Sequence, residues 1–325
     1  MDAYDHKCGL PVAHEPWVIV TPTRTMPTQL MGTEMHDVHV NGLGQDGDAE
    51  PVFLLGMQRS GTTLLGILLS HHPDICMTVN GKLLYYLIQW IVRDPSGIWA
   101  MHMRRDEIAH ALSRRPILGS RPDALQVMQD ALNDSGFVRV GREDTPRDVA
   151  RRIWCGAYRR LARGRIVCGD KYNEYLLQLD AIESLFPKAK YVFIWRNAAD
   201  VAESMCRAFA RRTWCPGSYD MAAAKWAIWN AEWIRFRRGI PSARRAEVVY
   251  SDLTNACPVV MRKLCTFLGV ACEEYYIEWA CKQIDHSRTG LSQESSIDWA
   301  ATLAAVPSVT GVMADLQAVS DTVER

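Results

Sequence analysis

One segment near residue 50 constrains the fold more than any other part of the chain. An apolar run, PVFLLGM at 51–57, is followed by the turn sequence GMQRSGTT and by a helical pattern from about Gly61 to His71. A run that is apolar at every position is typical of a strand buried on both faces of a parallel sheet. Glycines at 56 and 61, with hydroxyl residues after the second, have the spacing of a loop that holds phosphate with backbone N–H groups and a helix N-terminus. We therefore predict a strand, a phosphate loop and a helix, in that order.

The remainder of the chain alternates short β-rich runs with helical stretches. Strand patterns occur in RIVCGD (165–170), KYVFIWR (190–196) and AEVVYSD (246–252), and helical patterns at about 174–186, 198–212 and 219–238. This alternation predicts an α/β fold with a P-loop-type doubly wound parallel sheet flanked by helices and with ligands at the carboxyl ends of the strands. Residues 80–165 are helical in pattern, so we predict a helical insertion that forms a lid or an acceptor pocket, with plain packing helices as the alternative.

The first fifty residues differ in character from the rest. They lack helical or strand periodicity and end in a cluster of turn formers, so we predict an N-terminal extension at 1–50 ahead of a single domain at 51–325. This extension has a net charge of −6 in a chain whose total is 0, which leaves +6 on the domain. Such a balance suits a small anionic ligand better than a long nucleic acid.

The sequence gives no indication of a leader, a membrane span or a metal site. The first residues lack the basic and apolar regions of a secretory signal, and the longest apolar run, at 83–92, is too short for a span of about 20 residues. The ten cysteines show no zinc-ligand spacing, so we expect reduced thiols, no disulfide framework and no metal. We expect a soluble cytoplasmic protein without membrane or nucleic-acid partners.

The phosphate loop lacks one expected residue. Thr62 stands where a triphosphate-binding loop has lysine, the residue that reaches the outer phosphates of a nucleoside triphosphate. Arg59 and the neighbouring hydroxyls must neutralise the anion instead. The loop thus predicts a phosphate-bearing nucleotide other than a magnesium-bound triphosphate.

A second anion motif follows the strand pattern at 190–196. Arg196 ends that strand, and Ser204 lies eight residues further on, inside the next predicted helix. Asn197 is a favourable N-cap and Asp200 occupies the third helical position, so the helix should begin directly after Arg196. Arg196 and Ser204 are therefore candidates for a second phosphate group.

Three ordered segments resemble the sulfotransferase superfamily, whose donor is 3′-phosphoadenosine 5′-phosphosulfate (PAPS). They are FLLGMQRSGTTLLGILLSHHPDI, VCGDKYNEYLLQLDAIESLFPKAKYVFIWRNAADVAESM and VVYSDLTNACPVVMRKLCTFLGV, and the likeness spans about residues 51–270. The form Arg-Ser-Gly-Thr-Thr-Leu-Leu is nearer to the tyrosylprotein and bacterial carbohydrate or metabolite branches than to the steroid and phenol branch.

The resemblance implies roles for individual residues. The donor's 5′-phosphosulfate would be held by the loop residues Gln58, Arg59, Ser60, Gly61, Thr62 and Thr63. Arg196 and Ser204 would hold the 3′-phosphate, and Tyr250 would lie near the adenine. Lys171 matches a lysine that contacts the bridging or sulfuryl oxygens. The segment 286–299 resembles a loop that closes over the nucleotide, with Arg288 and Ser296 as candidate contacts.

Sulfuryl transfer also needs a proton acceptor, and here the chain departs from the family. Arg59 and Lys171 are suited to stabilise charge on the bridging oxygen, while a separate base takes the acceptor proton. The position of the family's glutamate is occupied by Asn80, which is not a useful base. Asn80 then orients the acceptor, or the acceptor needs little help, or transfer is lost. The substitute bases are Glu174, His71, His72, His102 and His110.

The resemblance implies transfer of a sulfuryl group from PAPS to a hydroxyl or nitrogen of a small-molecule or glycan acceptor. The product would be 3′-phosphoadenosine 5′-phosphate (PAP), and no metal would be required. Two alternatives stay open: a P-loop nucleotide kinase-like phosphotransferase in which Asp252 binds a metal, and a nucleotide-binding homologue without transfer activity.

Overall fold

Five parallel strands form the central sheet of the protein. The computed structural model describes residues 50–94, 101–114, 116–134, 144–286 and 289–323. The strands are β1 (Val52–Leu55), β2 (Ile75–Val79), β3 (Val167–Lys171), β4 (Lys190–Trp195) and β5 (Arg245–Val249), in the spatial order β2-β3-β1-β4-β5. The chain runs from β1 to one edge, returns through β3, and crosses β1 to reach β4 and β5, which is a doubly wound arrangement. The predicted fold class is confirmed.

Helices connect the strands and cover both faces of the sheet. They are α1 (Thr62–Ser70), α2 (Leu83–Leu87), α3 (Met101–Ser113), α4 (Ala124–Asp134), α5 (Pro146–Ala162), α6 (Leu179–Leu185), α7 (Ala198–Phe209), α8 (Tyr219–Arg237), α9 (Tyr250–Asn255), α10 (Cys257–Leu268), α11 (Glu274–Lys282), α12 (Trp299–Ala304) and α13 (Pro307–Val323). A π-helical turn at Ile88–Val92 extends α2, and a 3₁₀ turn at Asn173–Leu177 follows β3. No helix within these described ranges is both long and apolar enough to cross a membrane.

The strands alternate their side chains between two apolar layers. Val52 and Leu54 face the layer formed with α1, α10 and α11, while Phe53 and Leu55 face the layer formed with α5 to α8. Every residue of β1, β2 and β3 is buried, as expected for strands covered on both faces. The Trp154 ring of α5 lies 5.9 Å from the ring of Phe53. Helix α5, which belongs to the predicted insertion at 80–165, therefore packs directly on the sheet.

Two local expectations from the sequence were wrong, and one strand was not predicted at all. Residues 75–79 form β2, which the short sequence ICMTV did not predict. The strand expected at 246–252 ends at Val249, because the chain turns into α9 at Tyr250. The helix expected at about 174–186 is divided, since the 3₁₀ turn at 173–177 precedes α6.

One pair of cysteines also contradicts the expectation of reduced thiols. Cys257 at the start of α10 and Cys281 near the end of α11 form a disulfide, with their Cα atoms 5.6 Å apart. The two helices are consecutive and pack together, so residues distant in sequence become neighbours. Cysteine spacing alone does not reveal such pairing.

Candidate functional site

The carboxyl ends of all five parallel strands lie on the same side of the sheet. Most of the site residues predicted from the sequence follow these ends. Gly56 follows β1, Asn80 follows β2 and Lys171 is the last residue of β3. Arg196 and Tyr250 follow β4 and β5. In a parallel sheet the carboxyl ends lie together, so the candidates are collected at this edge by the strand order alone.

The phosphate loop between β1 and α1 has two positions that require glycine. Gly56 has φ 149° and Gly61 has φ 91°. A Cβ atom at Gly56 would collide with the carbonyl oxygen of Ile194, and one at Gly61 would collide with the ring of Tyr250. The loop is therefore pressed against β4 and α9 by close contacts that only glycine permits.

The loop offers donors that the described part of the chain does not use. Gly61 is the N-cap of α1 and provides no side-chain cap, which leaves the first N–H groups of the helix without intrahelical acceptors. The Ser60 side chain is fully buried, and its hydroxyl oxygen has no hydrogen-bond partner among the described residues. A buried polar atom without a partner is costly unless a ligand satisfies it. The loop thus has the donor set of an anion site.

Arg59 projects from the loop toward α7. Its backbone has φ 72°, an uncommon conformation for a non-glycine residue that is often found at functional sites. Its Nε donates a hydrogen bond to the Ser204 hydroxyl at 2.9 Å, and its guanidinium lies 4.4 Å from the centre of the Phe209 ring. Ser204 is thus in contact with Arg59 and not, as its spacing in the sequence suggests, with Arg196. Its hydroxyl helps to fix a cation beside the loop.

Lys171 lies buried between the loop and the residue after β2. Its ammonium group donates to Asn173 Oδ1 at 2.9 Å, to Asn80 Oδ1 at 3.3 Å and to Thr63 Oγ1 at 3.4 Å. These three acceptors match the three N–H bonds of the group. Burial lowers the pKa of Lys171 to about 8, although the negative charges of Glu174 and Asp170 oppose this shift. Lys171 is therefore charged below about pH 8 and loses its charge above it.

Asp170 holds the turn that carries Asn80. Asn80 and Lys82 have φ values of 66° and 62°, so the turn contains two non-glycine residues in the left-handed region. The fully buried Asp170 carboxylate accepts hydrogen bonds from the Gly81 N–H, the Lys82 N–H, the Thr78 hydroxyl and the Tyr175 hydroxyl, at distances of 2.6–3.1 Å. Burial raises the pKa of Asp170 while these hydrogen bonds lower it. Asp170 therefore positions Asn80 opposite Lys171. This role of Asp170 was not predicted from the sequence.

A second concave region lies beside the loop, at the ends of β4 and β5. It is a cavity of about 340 Å³ lined by residues of β4, α7, β5, α9 and α13 and by Thr289 and Gly290. Arg196 lines it, stacked 4.6 Å from the centre of the Tyr250 ring and paired with Asp200 at 3.2 Å. The indole Nε1 of Trp195, another lining residue, is buried without a hydrogen-bond partner in the described chain. The cavity therefore combines a fixed cation, Arg196, with the aromatic face of Tyr250.

Comparison with known proteins shows the family to which the chain belongs. A family model described as the sulfotransferase family matches residues 51–274. The chain belongs to the sulfotransferase family. One curated relative, the nodulation protein NoeE of Sinorhizobium fredii, is 30% identical over 155 residues, which cover 47% of this chain and 30% of NoeE. The chain thus matches less than a third of the length of that relative.

A solved structure has the same fold. The sulfotransferase domain of the olefin synthase of Synechococcus PCC 7002 superposes on this sulfotransferase with a TM-score of 0.55 and 21% sequence identity. The match covers 86% of this chain and 97% of that domain. The likeness extends over nearly the whole described architecture, so the central sheet and its helices follow a shared plan.

Asn173 links the phosphate loop to Lys171. Its side-chain amide donates to the Gly56 carbonyl at 2.7 Å and to the Thr62 hydroxyl at 3.1 Å, while its oxygen accepts from Lys171. A single buried asparagine therefore fixes the loop and the lysine relative to each other. Asn173 was not predicted as a site residue. Its position two residues after Lys171, at the carboxyl end of β3, was the signal that could have indicated it.

Glu174 lies at the rim of the loop. Its Oε1 accepts a hydrogen bond from Gln58 Nε2 at 3.3 Å. Burial and the charge of Glu174 together raise the pKa of Tyr85 and of Tyr172. The same carboxylate opposes the effect of burial on the pKa of Lys225. Glu174 is thus a half-buried carboxylate in contact with the loop, and its charge acts on two tyrosines and two lysines.

The segment expected to close over the nucleotide is attached to α7. Ser292 donates its N–H and its hydroxyl to Asp200, at 2.9 and 2.7 Å, and the Ser295 hydroxyl donates to Glu203 at 2.8 Å. Ser296 is exposed, and Arg288 lies outside the described residues. Asp298 accepts the Ala301 N–H at 3.0 Å and caps α12. The attachment uses Ser292 and Ser295, two serines that sequence analysis did not select.

The histidines that sequence analysis considered as bases have other partners. His72 accepts the Asp74 N–H on Nδ1, so its Nε2 carries the proton that is donated to the Ala271 carbonyl at 2.7 Å. His71 is in hydrogen-bond contact with Ile67 O and stacks on Trp279. His110 is exposed on α3, and the side chain of His102 lies outside the described part of the structure. Glu174 is the candidate base that lies next to the loop.

Proposed function

We propose that this sulfotransferase moves the sulfuryl group of PAPS to a hydroxyl or nitrogen of a small-molecule or glycan acceptor and releases PAP. The observation that carries the proposal is the presence of two anion-suited regions at one sheet edge. One is the phosphate loop, whose Ser60 hydroxyl has no partner among the described residues, and the other is the cavity with Arg196. A nucleotide with anionic groups at both its 5′ and 3′ positions matches this pair of regions.

Each part of such a donor has candidate partners among the residues of the two regions. Gln58 to Thr63 would hold the 5′-phosphosulfate through N–H groups and hydroxyls. Arg196 would hold the 3′-phosphate, with Arg288 and Ser296 as further candidates on the closing segment. Tyr250 would lie against the adenine, since its ring lines the cavity and already stacks on a guanidinium. The donor supplies an activated sulfuryl group attached to a phosphate that departs with negative charge.

Two cations are suited to that developing charge. Lys171 and Arg59 are each fixed by neutral partners, through Asn80, Asn173 and Thr63 in the first case and Ser204 in the second. Cations that are positioned beforehand stabilise charge without reorganising during the reaction. Asn80, in our proposal, acts through Lys171 as a positioning residue rather than as a base.

Glu174 is our candidate for the base. It is a carboxylate at the rim of the loop, and it is held by Gln58, which also belongs to the loop. A base at this place receives the acceptor proton while the two cations remain charged. The surrounding rings of Tyr85 and Tyr172, 5.1 Å apart, would wall the acceptor side.

Replacing Glu174 with glutamine is expected to lower kcat/KM by about 100-fold. The amide keeps the shape of the side chain and its contact with Gln58 but cannot accept the proton. The control is Glu232→Gln, which alters a half-exposed carboxylate paired with Arg235 on α8. A Glu174→Gln enzyme that keeps the wild-type kcat/KM would show that the base lies elsewhere.

Replacing Arg196 with alanine is expected to weaken PAP binding by about 50-fold, the usual effect of removing hydrogen bonds to a charged group. Calorimetry should compare PAP with adenosine 5′-monophosphate, which lacks the 3′-phosphate. The wild type should prefer PAP strongly. The preference of the variant should be much smaller, because the 3′-phosphate has lost its main partner.

The control for this experiment is Arg245→Ala. Arg245 is the first residue of β5, so it lies at the amino end of that strand, away from the site. It pairs with Glu247 at 3.3 Å. This change should leave both affinities within about twofold of the wild type. If Arg196→Ala retains the wild-type preference for PAP, the 3′-phosphate assignment is wrong.

The reaction itself is tested by incubation with PAPS and a panel of phenols, aliphatic alcohols, amines and glycans. We expect PAP release that depends on the acceptor, with one acceptor gaining the mass of a single SO₃ group. PAP binding without turnover across the panel would favour the non-transferring homologue. Acceptor-independent hydrolysis in both the wild type and Lys171→Met would contradict the assigned roles.

A further inference from the structure

Asp200 divides its carboxylate oxygens between two parts of the candidate site. Its Oδ2 accepts from the Arg196 guanidinium, with Nη2 at 3.2 Å and Nε at 3.3 Å. Its Oδ1 accepts from the backbone N–H of Ser292 at 2.9 Å and from the Ser292 hydroxyl at 2.7 Å. One side chain of α7 therefore connects the cation that follows β4 to a residue 92 positions after Asp200 in the chain.

The place of Asp200 in α7 makes this use of its carboxylate unusual. Asp200 is the third residue of α7, and Asn197 is the N-cap. In a capping box, an acidic side chain at this position returns to the backbone N–H of the N-cap residue. Asp148 of α5 has that arrangement, since it accepts from the Thr145 N–H at 3.0 Å. Asp200 instead directs both oxygens to other parts of the protein.

The ion pair of Asp200 with Arg196 is largely shielded from water. The Arg196 side chain is 6% exposed and that of Asp200 is 13% exposed. The guanidinium also lies 4.6 Å from the centre of the Tyr250 ring, so the ring contacts its face while Asp200 holds its edge. A shielded charge that loses its partner is strongly destabilised. The orientation of Arg196 in the cavity therefore depends on Asp200.

The second partner of Asp200 adjoins a wall of the same cavity. Thr289 and Gly290 line the cavity together with Arg196. Ser292 follows two residues after Gly290, and its N–H and hydroxyl are both bound by Asp200. The carboxylate thus fixes the backbone of this wall close to the point where the wall meets the cavity.

A second anchor lies nearly one helical turn further along α7. The buried carboxylate of Glu203 accepts a hydrogen bond from the Ser295 hydroxyl at 2.8 Å. Segment 289–297 is therefore attached to α7 by two carboxylates. Of these two, Asp200 is the one that also holds the cation.

We propose that Asp200 is a positioning residue that couples the orientation of Arg196 to the attachment of segment 289–297. A single carboxylate then sets both the cation and a wall of the pocket for the nucleotide's 3′-phosphate. The identity of that anion rests on the proposed function, whereas the attachment of the segment does not. Asp200 acts through Arg196 and Ser292, since a carboxylate would repel a phosphate that it touched directly.

Hydrogen exchange of the ligand-free protein tests the attachment. In Asp200→Ala, peptides that cover segment 289–297 should exchange at least about tenfold faster than in the wild type, because the Ser292 N–H and hydroxyl lose their acceptor. The matched control is Asp148→Ala, which removes an acidic residue from the same position of α5 and should leave this exchange within about twofold. Unchanged exchange in Asp200→Ala would overturn the proposal.

A double-mutant cycle tests the action through Arg196. Calorimetry gives the ratio of the affinities for PAP and adenosine 5′-monophosphate in the wild type, Asp200→Ala, Arg196→Ala and the double variant. Asp200→Ala should lower this ratio about tenfold when Arg196 is present and less than about twofold when it is absent. A general loss of structure would lower both affinities together and leave the ratio unchanged.

The outcomes separate this inference from the proposed function. An equal fall of the ratio in both backgrounds, or no fall in either, would overturn the action of Asp200 through Arg196. A wild type that binds both nucleotides equally would contradict the proposed donor, and the exchange experiment would still decide whether Asp200 holds the segment.

Asp200→Asn replaces the alanine variant if the latter does not fold. Asparagine keeps the volume of the side chain but has one acceptor oxygen, so it can serve Arg196 or Ser292 but not both. We expect this variant to show either the faster exchange or the lower affinity ratio. Wild-type behaviour in both measurements would overturn the proposal.

Discussion

Replacing Lys171 with methionine is expected to lower kcat by at least about 1,000-fold, the upper range for removal of one preorganised charge-stabilising donor. The ammonium group is the buried cation held by the Asn80, Asn173 and Thr63 oxygens. Methionine keeps much of the side-chain volume but provides no charge. PAP affinity should fall by less than about tenfold, since the loop amides and Arg196 still bind the nucleotide. The measurement is single-turnover kinetics at saturating PAPS.

The same lysine predicts an alkaline limb in the pH profile of the wild type. Burial lowers the pKa of Lys171 to about 8, and the charged form is the active one. The value of kcat/KM should therefore fall as the pH rises through about 8, and this limb should be absent in Lys171→Met. Lys190→Met is the control, because Lys190 lies at the opposite end of β4 and donates to the Phe267 carbonyl. A flat wild-type profile across this range would contradict the assigned role of Lys171.

Replacing Arg59 with alanine is expected to lower kcat/KM by more than about 1,000-fold. The guanidinium is fixed between the Ser204 hydroxyl and the face of the Phe209 ring, so it presents a positioned charge beside the phosphate loop. Arg59→Lys should recover a small part of the rate, because it keeps the charge but loses the planar stacking and the Nε hydrogen bond. Steady-state kinetics with a fixed acceptor measure both effects.

The matched control for Arg59 is Arg207→Ala on α7. Arg207 is exposed on the same helix that carries Ser204 and Phe209. It should change kcat/KM by less than about twofold and should leave the melting temperature unchanged. An Arg59→Ala enzyme with wild-type kcat/KM would exclude Arg59 from the reaction, and one that fails to fold would be replaced by Arg59→Gln, for which we expect the same loss.

The parts of the site that are local in sequence could be predicted without coordinates. The loop at Gly56–Thr63 carries its own glycine spacing and follows a strand that is apolar at every position. Arg196 ends a similar run, and Asn197 caps the next helix as expected, accepting the Ala199 N–H at 2.9 Å. These features depend on neighbours a few residues apart, so the pattern alone contains the information.

The parts that depend on distant residues could not be predicted in this way. Asp170 holds a turn some ninety residues earlier in the chain, and Ser204 contacts an arginine 145 residues before it. Strand β2 is a short run of mixed character, and its pairing with β3 decides where Asn80 lies. Such contacts follow from the sheet order, which the sequence restricts to a class of folds but does not specify.

The most direct test of the central claim is a calorimetric titration of the purified protein with PAP and, separately, with ATP and magnesium. The loop has threonine in place of the usual lysine, and Arg196 provides a place for a 3′-phosphate, so the two nucleotides should differ sharply. We expect micromolar binding of PAP and little binding of ATP. Tight, magnesium-dependent binding of ATP with weak binding of PAP would contradict the proposed donor and favour a phosphotransferase.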